Sequence, residues 1–336
     1  MSTPMNSHAR PGRRDSVLPV EARPVRGETA AEPELAGPLE GLKRLDVDDL
    51  PAYRAAVDAG GQCGWKYYFP YLLSLNRQGR RGALYARDEG SACVFVWQIR
   101  NSRPRLDVFV APAPMNVPVL RRCIERANDF NGDSSARVMR IDAKDADAVT
   151  VAGLRVRPRK RQYLFSPGAY TDLGGKQLYT IRRNVSQIER LSDVEVMPYT
   201  TAHRDDCYAL LQQWKEEHRG KHDTLGGVGV SRRAIALAGL VPENILRGEV
   251  IFIDGRLAAF AFGGEIRPGL ACFFERKCDE AIRGLSYFQL RSFLLKLGDF
   301  EYVNDGSDAG RPGLRQFKDS FRPAGMHGEY RARQRR

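Results

Sequence analysis

The chain has 336 residues, of which 42% are hydrophobic, and its formal net charge is +12. At roughly 150 residues per domain this length predicts about two domains with their own cores, and it excludes the small scaffolds that depend on disulfides. The basic balance favours an anionic partner such as nucleic acid, anionic lipid or a phosphorylated compound. No stretch approaches the ~18 apolar residues that a membrane-spanning helix needs.

The first 42 residues contain six prolines and no aromatic residue. Such a segment has too little apolar surface to offset the entropy lost on folding, so we predict that residues 1–42 form a disordered tail. The tail also lacks the apolar region of a secretory signal. Together with the missing membrane span, this predicts a cytoplasmic protein.

Six cysteines are scattered along the chain without a CxxC pair, namely Cys63, Cys93, Cys123, Cys207, Cys272 and Cys278. This spacing fits free thiols in a reducing compartment. His218 and His222 are four residues apart, but Glu217 precedes the first histidine, so the order is not that of an H-E-x-x-H zinc site. We predict no metal site.

After the tail, the hydrophobic pattern predicts a hairpin, a strand, a helix and a second strand in that order. The predicted elements are hairpin strands at Ala83–Ala86 and Cys93–Ile99, a strand at Leu106–Val110, a helix at Val117–Phe130 and a strand at Arg137–Ile141. Pro118 falls in the first turn of the helix, where proline is tolerated.

The same order returns about 165 residues later. After a helix at about Ala202–Arg219, the predicted elements are a hairpin within Glu249–Phe262, a strand at Leu270–Glu275, a helix at about Gly284–Leu297 and a strand at Glu301–Asn304. One order at one offset indicates a duplicated domain, and the alternative is a chance similarity of α/β order.

The repeated order is that of the N-acetyltransferase fold, a likeness of fold that does not fix function. The predicted fold class is therefore α/β (α+β with mixed sheets), built as two tandem N-acetyltransferase-like domains. We place the first domain at residues 43–165 and the second, which carries the active site, at residues 166–336. The glycine-rich run 226–229 follows no clear strand, so we predict a mobile loop that could cover the site.

Residues 304–323 are the most informative segment. They begin with a loop that contains Asp305 and Asp308, and they continue as a short helix with an apolar face beside a basic face. The apolar face consists of Leu314, Phe317 and Phe321, and the basic face of Arg315, Lys318 and Arg322. A basic stripe next to an acidic loop suits an anionic substrate at a reacting centre, and the alternative is an ordinary solvated helix face.

Three motifs resemble the C-terminal domain of phosphatidylglycerol lysyltransferases and their soluble relatives. Residues 170–184 are similar to the family pattern L-x-G-K … K-R-N, and residues 274–287 to the pattern E-K-A … G-x-Y. Residues 304–323 are similar to N-x-E-x-D-x-G-x-x-G-L-R-x-x-K-x-S-Y-x-P, the longest and most specific of the three. The resemblance covers about residues 163–330.

The resemblance implies a tandem acyltransferase fold that moves an aminoacyl group from aminoacyl-tRNA to an amine or hydroxyl, with no cofactor besides that donor. Because the chain lacks the transmembrane half of the lipid-modifying branch, a soluble acceptor or a peripheral role is expected to fit better, and a lipid headgroup stays open as the acceptor. Gly306 stands where the family pattern has a glutamate. This departure leaves Asp308 as the acidic candidate in the loop.

Aminoacyl transfer needs a general base for the acceptor, donors for the oxyanion and a means of holding both substrates together. We predict Glu275 as the base or acceptor-binding group, Asp308 as the second candidate, and Tyr287 as the proton donor to the leaving ribose hydroxyl. The strand Leu270–Glu275, which splays open in this fold, would supply backbone N–H donors. The alternatives are carboxylates with structural ion pairs and a core tyrosine.

Four further residues are predicted to bind the substrates, namely Asn304, Arg315, Lys318 and Arg283. Arg315 and Lys318 would bind phosphate or orient a carboxylate of the acceptor. Two basic zones, one around residues 155–161 and one in residues 311–336, are predicted to contact the RNA backbone. The predicted tRNA-binding residues are Arg182, Arg183, Arg159, Lys160 and Arg161, and the alternative is a generic basic surface.

Two other functions stay open at this stage. One is a coenzyme-A-dependent N-acyltransferase of the same fold with an acyl-coenzyme A donor, although Arg283 and Gly284 are the only remnants of its glycine-rich pyrophosphate loop. The other is a non-enzymatic module that binds RNA or a membrane surface, which the glycine at position 306 favours. The amino acid, the acceptor and the oligomeric state are not predicted.

Overall fold

The computed structural model describes residues 36–76, 81–219 and 224–334. Of the predicted disordered tail, residues 1–35 lie outside this description. The prediction was wrong for its last part, because Leu39 and Leu42 are only 1% and 5% exposed and pack against the first core. Two buried leucines therefore anchor the start of the described chain.

Two mixed seven-stranded sheets form the frame. The first contains β1 (Lys43–Arg44), β2 (Arg81–Asp88), β3 (Ser91–Arg100), β4 (Arg103–Ala113), β5 (Arg137–Asp142), β6 (Leu154–Pro158) and β14 (Glu329–Gln334). The second contains β7 (Gln162–Phe165), β8 (Val194–Pro198), β9 (Arg247–Ile253), β10 (Arg256–Arg267), β11 (Leu270–Cys278), β12 (Tyr302–Asn304) and β13 (Gly325–His327). The strand orders are β1-β2-β3-β4-β5-β14-β6 and β13-β7-β12-β11-β10-β9-β8. The predicted fold class is confirmed.

Nine α-helices lie in the part of the chain that the structure describes. They are α1 (Leu50–Gly60), α2 (Phe69–Leu73), α3 (Val117–Asn131), α4 (Ala146–Val151), α5 (Tyr179–Glu189), α6 (Arg204–Glu217), α7 (Thr224–Leu237), α8 (Leu285–Lys296) and α9 (Pro312–Ser320). Short 3-10 helices occur at Gly37–Leu39, Val47–Asp49, Trp65–Tyr67, Ala143–Asp145, Pro167–Tyr170 and Thr201–His203.

The duplicated order of elements is visible in both sheets. In the first, the hairpin β2–β3 is followed by β4, α3 and β5, and β4 pairs with β5 in parallel. In the second, the hairpin β9–β10 is followed by β11, α8 and β12, and β11 pairs with β12 in parallel. A parallel pair needs a crossover connection, and the helix provides it in each half.

The two halves exchange strands. β14, from the end of the described chain, lies between β5 and β6 in the first sheet, whereas β7 lies between β12 and β13 in the second. The predicted domain boundary at residue 165 therefore does not follow the sheets, because β7 falls in the predicted first domain and β14 in the predicted second. Hydrophobic patterning identifies a strand but does not name its partner.

Both hairpins turn through two residues in the left-handed region. Glu89 and Gly90 have φ angles of 46° and 79°, and Asp254 and Gly255 have φ angles of 50° and 70°. This is the geometry of a type I′ turn, which explains the Asp-Gly and Glu-Gly pairs in the sequence.

A continuous apolar core joins the halves. Tyr53 and Tyr71 from the first half belong to the same buried cluster as Phe260 and Phe274 from the second. Helix α7 packs on α6 and β11 beside this core. The prediction of a loop at residues 226–229 was wrong, because these residues lie in α7 despite their glycine content.

Candidate active site

Strands β11 and β12 part in the middle of the second sheet. They pair only where Leu270–Cys272 lies beside Tyr302–Asn304, and β11 then continues to Cys278. On its other edge β11 bulges against β10, where Phe262 and Gly263 face Glu275 and Phe273 and leave Phe274 as the extra residue. The predicted splay of this strand is therefore present, and it opens after residue 272.

The opening leads into a cavity of about 700 Å³. Both halves contribute its walls, with Trp65, Lys66, Tyr71 and Arg140 from the first and Phe274, Glu275, Arg276, Asp305 and Lys318 from the second. Gly227 and Val230 of α7 line another side, so a helix lies where the sequence predicted a loop that could cover the site. A second cavity of about 660 Å³ lies against α3 and contains none of the predicted site residues.

Cations dominate the main cavity. Seven cationic side chains line it, namely Lys66, Arg81, Arg140, Arg159, Lys160, Arg276 and Lys318, against three carboxylates, Glu275, Asp305 and Glu329. Low-dielectric walls strengthen the field of such a cluster, so the cavity suits a substrate that carries phosphate or carboxylate groups.

Glu275 lies in the cavity, as the sequence predicted. Its side chain is 15% exposed, and its Oε1 atom lies 2.5 Å from the Nζ atom of Lys277. Lys277 in turn lies 4.8 Å from the ring centroid of Trp214. A carboxylate with one ionic partner keeps lone pairs available for a proton or a substrate amine.

Asp305, rather than Asp308, is the carboxylate of the loop that reaches the cavity. Arg276 donates to both of its oxygens at 3.0 and 3.3 Å, and Lys318 Nζ lies 3.0 Å from Oδ2. Lys318 is 3% exposed and also donates to the backbone carbonyl of Asp305. Burial lowers the pKa of Lys318, which Asp305 partly offsets. Lys318 is thus buried in the loop that it holds, and its substrate-binding role remains a prediction.

Asn304 is fully buried and its side chain is occupied within the protein. Its Nδ2 atom donates to Cys63 O and Gln162 Oε1 at 3.0 and 2.7 Å, and its Oδ1 atom accepts from Gly306 N at 2.9 Å. These bonds join the two halves and fix the start of the loop. The structure does not place Asn304 on the cavity wall, where a substrate-binding residue would lie.

Asp308 and Arg315 lie outside the cavity lining and pair with each other. Arg315 Nε donates to Asp308 Oδ2 at 2.6 Å, while the backbone N–H of Gly310 donates to Oδ1 at 2.8 Å. Both donors lower the pKa of Asp308, and the backbone hydrogen bond from Gly310 is the largest single cause. The pair holds the turn before α9, which is the structural alternative that the sequence left open.

Tyr287 and Arg283 also lie away from the cavity lining. The Tyr287 ring packs 4.9 Å from Phe317 and 5.7 Å from Phe321, centroid to centroid, so it lies half-buried against the core of the second half. Arg283 is exposed just before α8. Gly284, the residue after it, has a φ of 90°, and a Cβ there would lie 2.5 Å from the carbonyl oxygen of Asn184.

The predicted tRNA-binding residues divide into two groups. Arg159 and Lys160 line the cavity, and Arg161 is exposed beside them. Arg182 lies on α5, where it donates to the carbonyl oxygens of Leu173 and Gly175, and Arg183 is exposed on the same helix. Helix α5 packs on α8 over the second sheet. The predicted tRNA-binding residues therefore lie in two separate places rather than on one surface.

The sequence analysis missed Lys66, which belongs to the first half. Its Nζ atom lies 3.9 Å from the Trp65 ring centroid and 3.8 Å from that of Tyr71. Burial lowers the pKa of Lys66. Burial raises the pKa of Tyr71, but the charge and hydrogen bond of Lys66, together with the charges of Arg81 and Arg140, outweigh it and the net shift is downward. The basic and aromatic run 65–71 was the available signal.

All six cysteines are free thiols, as predicted, and five of them are buried. Over residues 36–76, 81–219 and 224–334, no group of three or more His, Cys, Asp or Glu side chains is placed to hold a metal ion. In the same ranges, no helix is both long and apolar enough to span a bilayer.

The tandem mixed sheets, with a splayed strand pair over a cationic cavity, define an acyltransferase-like protein with a site between its halves. The family model described as phosphatidylglycerol lysyltransferase, C-terminal, matches residues 78–333. The chain therefore belongs to this family, as its motifs predicted. A search of curated proteins found no match.

Solved structures share this fold at low sequence identity. A conserved protein of unknown function from Bacteroides thetaiotaomicron superposes with a TM-score of 0.72 and 19% identity over 88% of this chain and 99% of that chain. A C-terminal domain described as that of a lysylphosphatidylglycerol synthetase from Agrobacterium fabrum superposes with a TM-score of 0.62 and 18% identity, over 86% of this chain and 92% of that chain. The structure of L-PGS from Bacillus licheniformis superposes with a TM-score of 0.59 and 16% identity, over 87% of this chain and 93% of that chain. At these identities the likeness shows the fold.

Proposed function

We propose that this protein is an aminoacyltransferase that moves an aminoacyl group from aminoacyl-tRNA to a small amine- or hydroxyl-bearing acceptor. The family supports a transferase, and the donor and acceptor are our inference. The observation that carries it is the carboxylate of Glu275 at a splayed strand edge, inside a cavity with seven cationic side chains. We further propose that the reaction needs no cofactor and takes place in the cytoplasm.

The chemistry follows from the positions of these groups. The acceptor nitrogen or oxygen attacks the ester carbonyl carbon, and Glu275 takes the proton that this atom loses. A new C–N or C–O bond forms while the ester bond to the terminal ribose breaks, and the ribose oxygen leaves with the proton that Glu275 has taken from the acceptor. Backbone N–H groups around the Phe274 bulge are the candidate donors to the oxyanion. Arg276 and Lys318 fix the loop opposite Glu275.

The start of α8 disfavours coenzyme A as the donor. A pyrophosphate would bind to the free N–H groups at the beginning of this helix. The backbone of α5 already lies there, because Asn184 O is 2.5 Å from the position of a Cβ on Gly284. The positive φ and the close packing account for the glycine, and Arg283 is left without a phosphate loop around it.

A donor competition assay tests the proposal. The protein is incubated with a pool of tRNA charged with labelled amino acids, with labelled acetyl-coenzyme A, and with a mixture of amines, hydroxyl compounds and phosphatidylglycerol vesicles. We expect the label to leave tRNA and to appear in a small product. Consumption of acetyl-coenzyme A with intact aminoacyl-tRNA would establish the coenzyme-A alternative instead, and label in the lipid would make the headgroup the acceptor.

A further inference from the structure

The strand exchange brings together two basic segments that are far apart in the sequence. Because β14 lies between β5 and β6, Arg333 faces Arg155 on one side and Arg137 on the other, and Arg331 faces Arg157. Residues directly opposite in a sheet share a face. These five arginines line one groove of about 210 Å³, and we refer to them as the arginine face.

The reverse side of the same strands is apolar. Val138, Val156 and Ala332 alternate with the arginines and pack in the core of the first half. Arg155, Arg157, Arg331 and Arg333 are all exposed. The arginine face is therefore the solvent side of the sheet, fixed by the burial of its reverse side.

The arginine face carries uncompensated charge. Arg137 pairs with Asp107, with Nη2 and Oδ2 2.6 Å apart. Within the described ranges, no ion pair joins any of the other four arginines to a carboxylate. Like charges directly opposite in a sheet destabilise it, so the unliganded face is under repulsion that a polyanion would relieve.

The groove and the cavity adjoin each other. Arg140 and Arg159 line both of them. Glu329 lies between these two residues, with its carboxylate oxygens 3.5 Å from Arg140 Nε and 3.1 Å from Arg159 Nε. At about 4.8 Å between strands and about 3.3 Å per residue, the backbone positions of the arginine face span on the order of 10 by 7 Å, which is enough for about two consecutive phosphates.

We propose that the arginine face binds the sugar-phosphate backbone of the tRNA acceptor stem, an inference that depends on the proposed function. The single-stranded 3′ end then passes Arg140 and Arg159 into the cavity. The contacts are to phosphates, so they position the RNA and read no sequence. This assigns RNA binding to β5, β14 and β6 rather than to Arg182 and Arg183 on α5.

A membrane surface fits the arginine face less well than RNA does. Peripheral membrane binding combines cations with apolar side chains that enter the headgroup region. The large exposed hydrophobic residues of the described chain are Val151, Tyr179, Leu191, Val196, Leu240, Leu295 and Tyr302, and none of them lies on β5, β6 or β14. A flat bilayer also cannot follow the groove into a recessed cavity, whereas a single strand can.

The test uses the full-length protein and a fluorescently labelled RNA minihelix that has a single-stranded 3′ end and carries no amino acid. Binding is measured by anisotropy over a series of salt concentrations for the wild type and for two double variants. Arg155→Ala with Arg333→Ala removes two charges from the arginine face. Arg183→Ala with Arg190→Ala removes two exposed charges from α5 and its C-terminus and is the matched control.

We expect the first double variant to bind the RNA at least tenfold more weakly than wild type at low salt. The slope of the logarithm of its binding constant against the logarithm of the salt concentration should be smaller in magnitude by about 1.5. The control should change by less than twofold, and thermal melts should show both variants folded. Equal weakening by both pairs, weakening by the control alone, or binding of wild type to anionic vesicles but not to the minihelix would overturn the proposal. Because this RNA carries no amino acid, the binding test does not depend on aminoacyl transfer. If the protein binds the RNA but transfers no aminoacyl group, the enzymatic function is rejected while the proposal for the arginine face stands.

Discussion

Arg276 and Asp305 join the two strands of the second sheet at the point where they part, with Nη1 and Oδ1 3.0 Å apart. Arg276 extends from β11, and Asp305 is the first residue after β12. Their side chains are 19% and 6% exposed. The ion pair spans the mouth of the opening and leaves Glu275, the residue before Arg276, as the carboxylate with the fewest partners in the cavity.

Replacing Glu275 with glutamine should reduce the single-turnover rate of aminoacyl transfer by about 10²–10⁴-fold, the usual effect of removing a general base. The amide still fills the same volume and accepts a hydrogen bond from Lys277, so the fold should persist. Asp308→Asn is the comparison, because this carboxylate lies outside the cavity, and its rate should stay within about threefold of wild type. Rapid-quench measurement of label leaving charged tRNA distinguishes them. A larger loss in the Asp308 variant would make Asp308, the second candidate from the sequence, the base instead of Glu275.

Two ion pairs on α9 should differ sharply in their effect on stability. Lys318 is buried against Asp305, so Lys318→Met leaves a buried carboxylate with Arg276 as its remaining cation and should lower the free energy of unfolding by about 3 kcal/mol. Arg315 is 60% exposed, so Arg315→Met should have little effect. Urea denaturation of both variants measures the difference. Equal losses would mean that the pair with Asp308 contributes as much as the buried one.

The position of β14 between β5 and β6 makes its buried face critical. Ala332 is 4% exposed, so Ala332→Asp places an unpaired charge in the first core and should destabilise the protein by at least about 3 kcal/mol. Arg331→Asp is the matched control, since the same side chain one position earlier faces Arg157 across the strands and should be neutral or stabilising. Thermal melts compare the two. Similar losses would show that β14 does not hold its place in the first sheet.

Glu249 should give the protein a stability that falls as the pH rises from about 5 to 8. Burial raises its pKa from the ordinary value of 4.5 to about 7, although hydrogen bonding to Ser292 and the charge of Lys296 act against this. The unfolded chain therefore releases this proton at lower pH, and stability present below about pH 4.5 is lost as the pH passes 7. At 1.36 kcal/mol per pKa unit the loss has an upper limit of about 3 kcal/mol.

Glu249→Gln isolates this contribution, because other shifted groups titrate equally in both proteins. The difference in melting temperature between variant and wild type should grow in favour of the variant between pH 5 and pH 8. A difference that stays constant over this range would show that Glu249 is ionised in the folded protein throughout.

The fold class followed from the sequence because hydrophobic periodicity and glycine-containing turns act locally. The hairpins at Gly90 and Gly255 and the helices before β5 and β12 lie within a few residues of their predicted positions. The exchange of β7 and β14 could not be predicted in this way, since the pairing of a strand depends on which edge is free in three dimensions.

The site was predicted only in part for the same reason. Glu275 follows from its place at the end of a recognisable strand. The choice between Asp305 and Asp308 depends on which carboxylate the loop turns inward, and this is decided by Lys318 and Arg276 from two other elements. Lys66 comes from the opposite half, so no spacing rule connects it with the motifs of the second half.

The most direct measurement of the central claim is to map where the 3′ end of tRNA lies. Periodate converts the terminal ribose of uncharged tRNA to a dialdehyde, which forms a Schiff base with a nearby lysine and is fixed by borohydride. Burial lowers the pKa of Lys66, so its amine is the more reactive for this coupling. We predict that peptide mapping finds the RNA attached to Lys66 or Lys160 in the cavity. Attachment to exposed lysines such as Lys43 or Lys176, with Lys66 unmodified, would contradict the account.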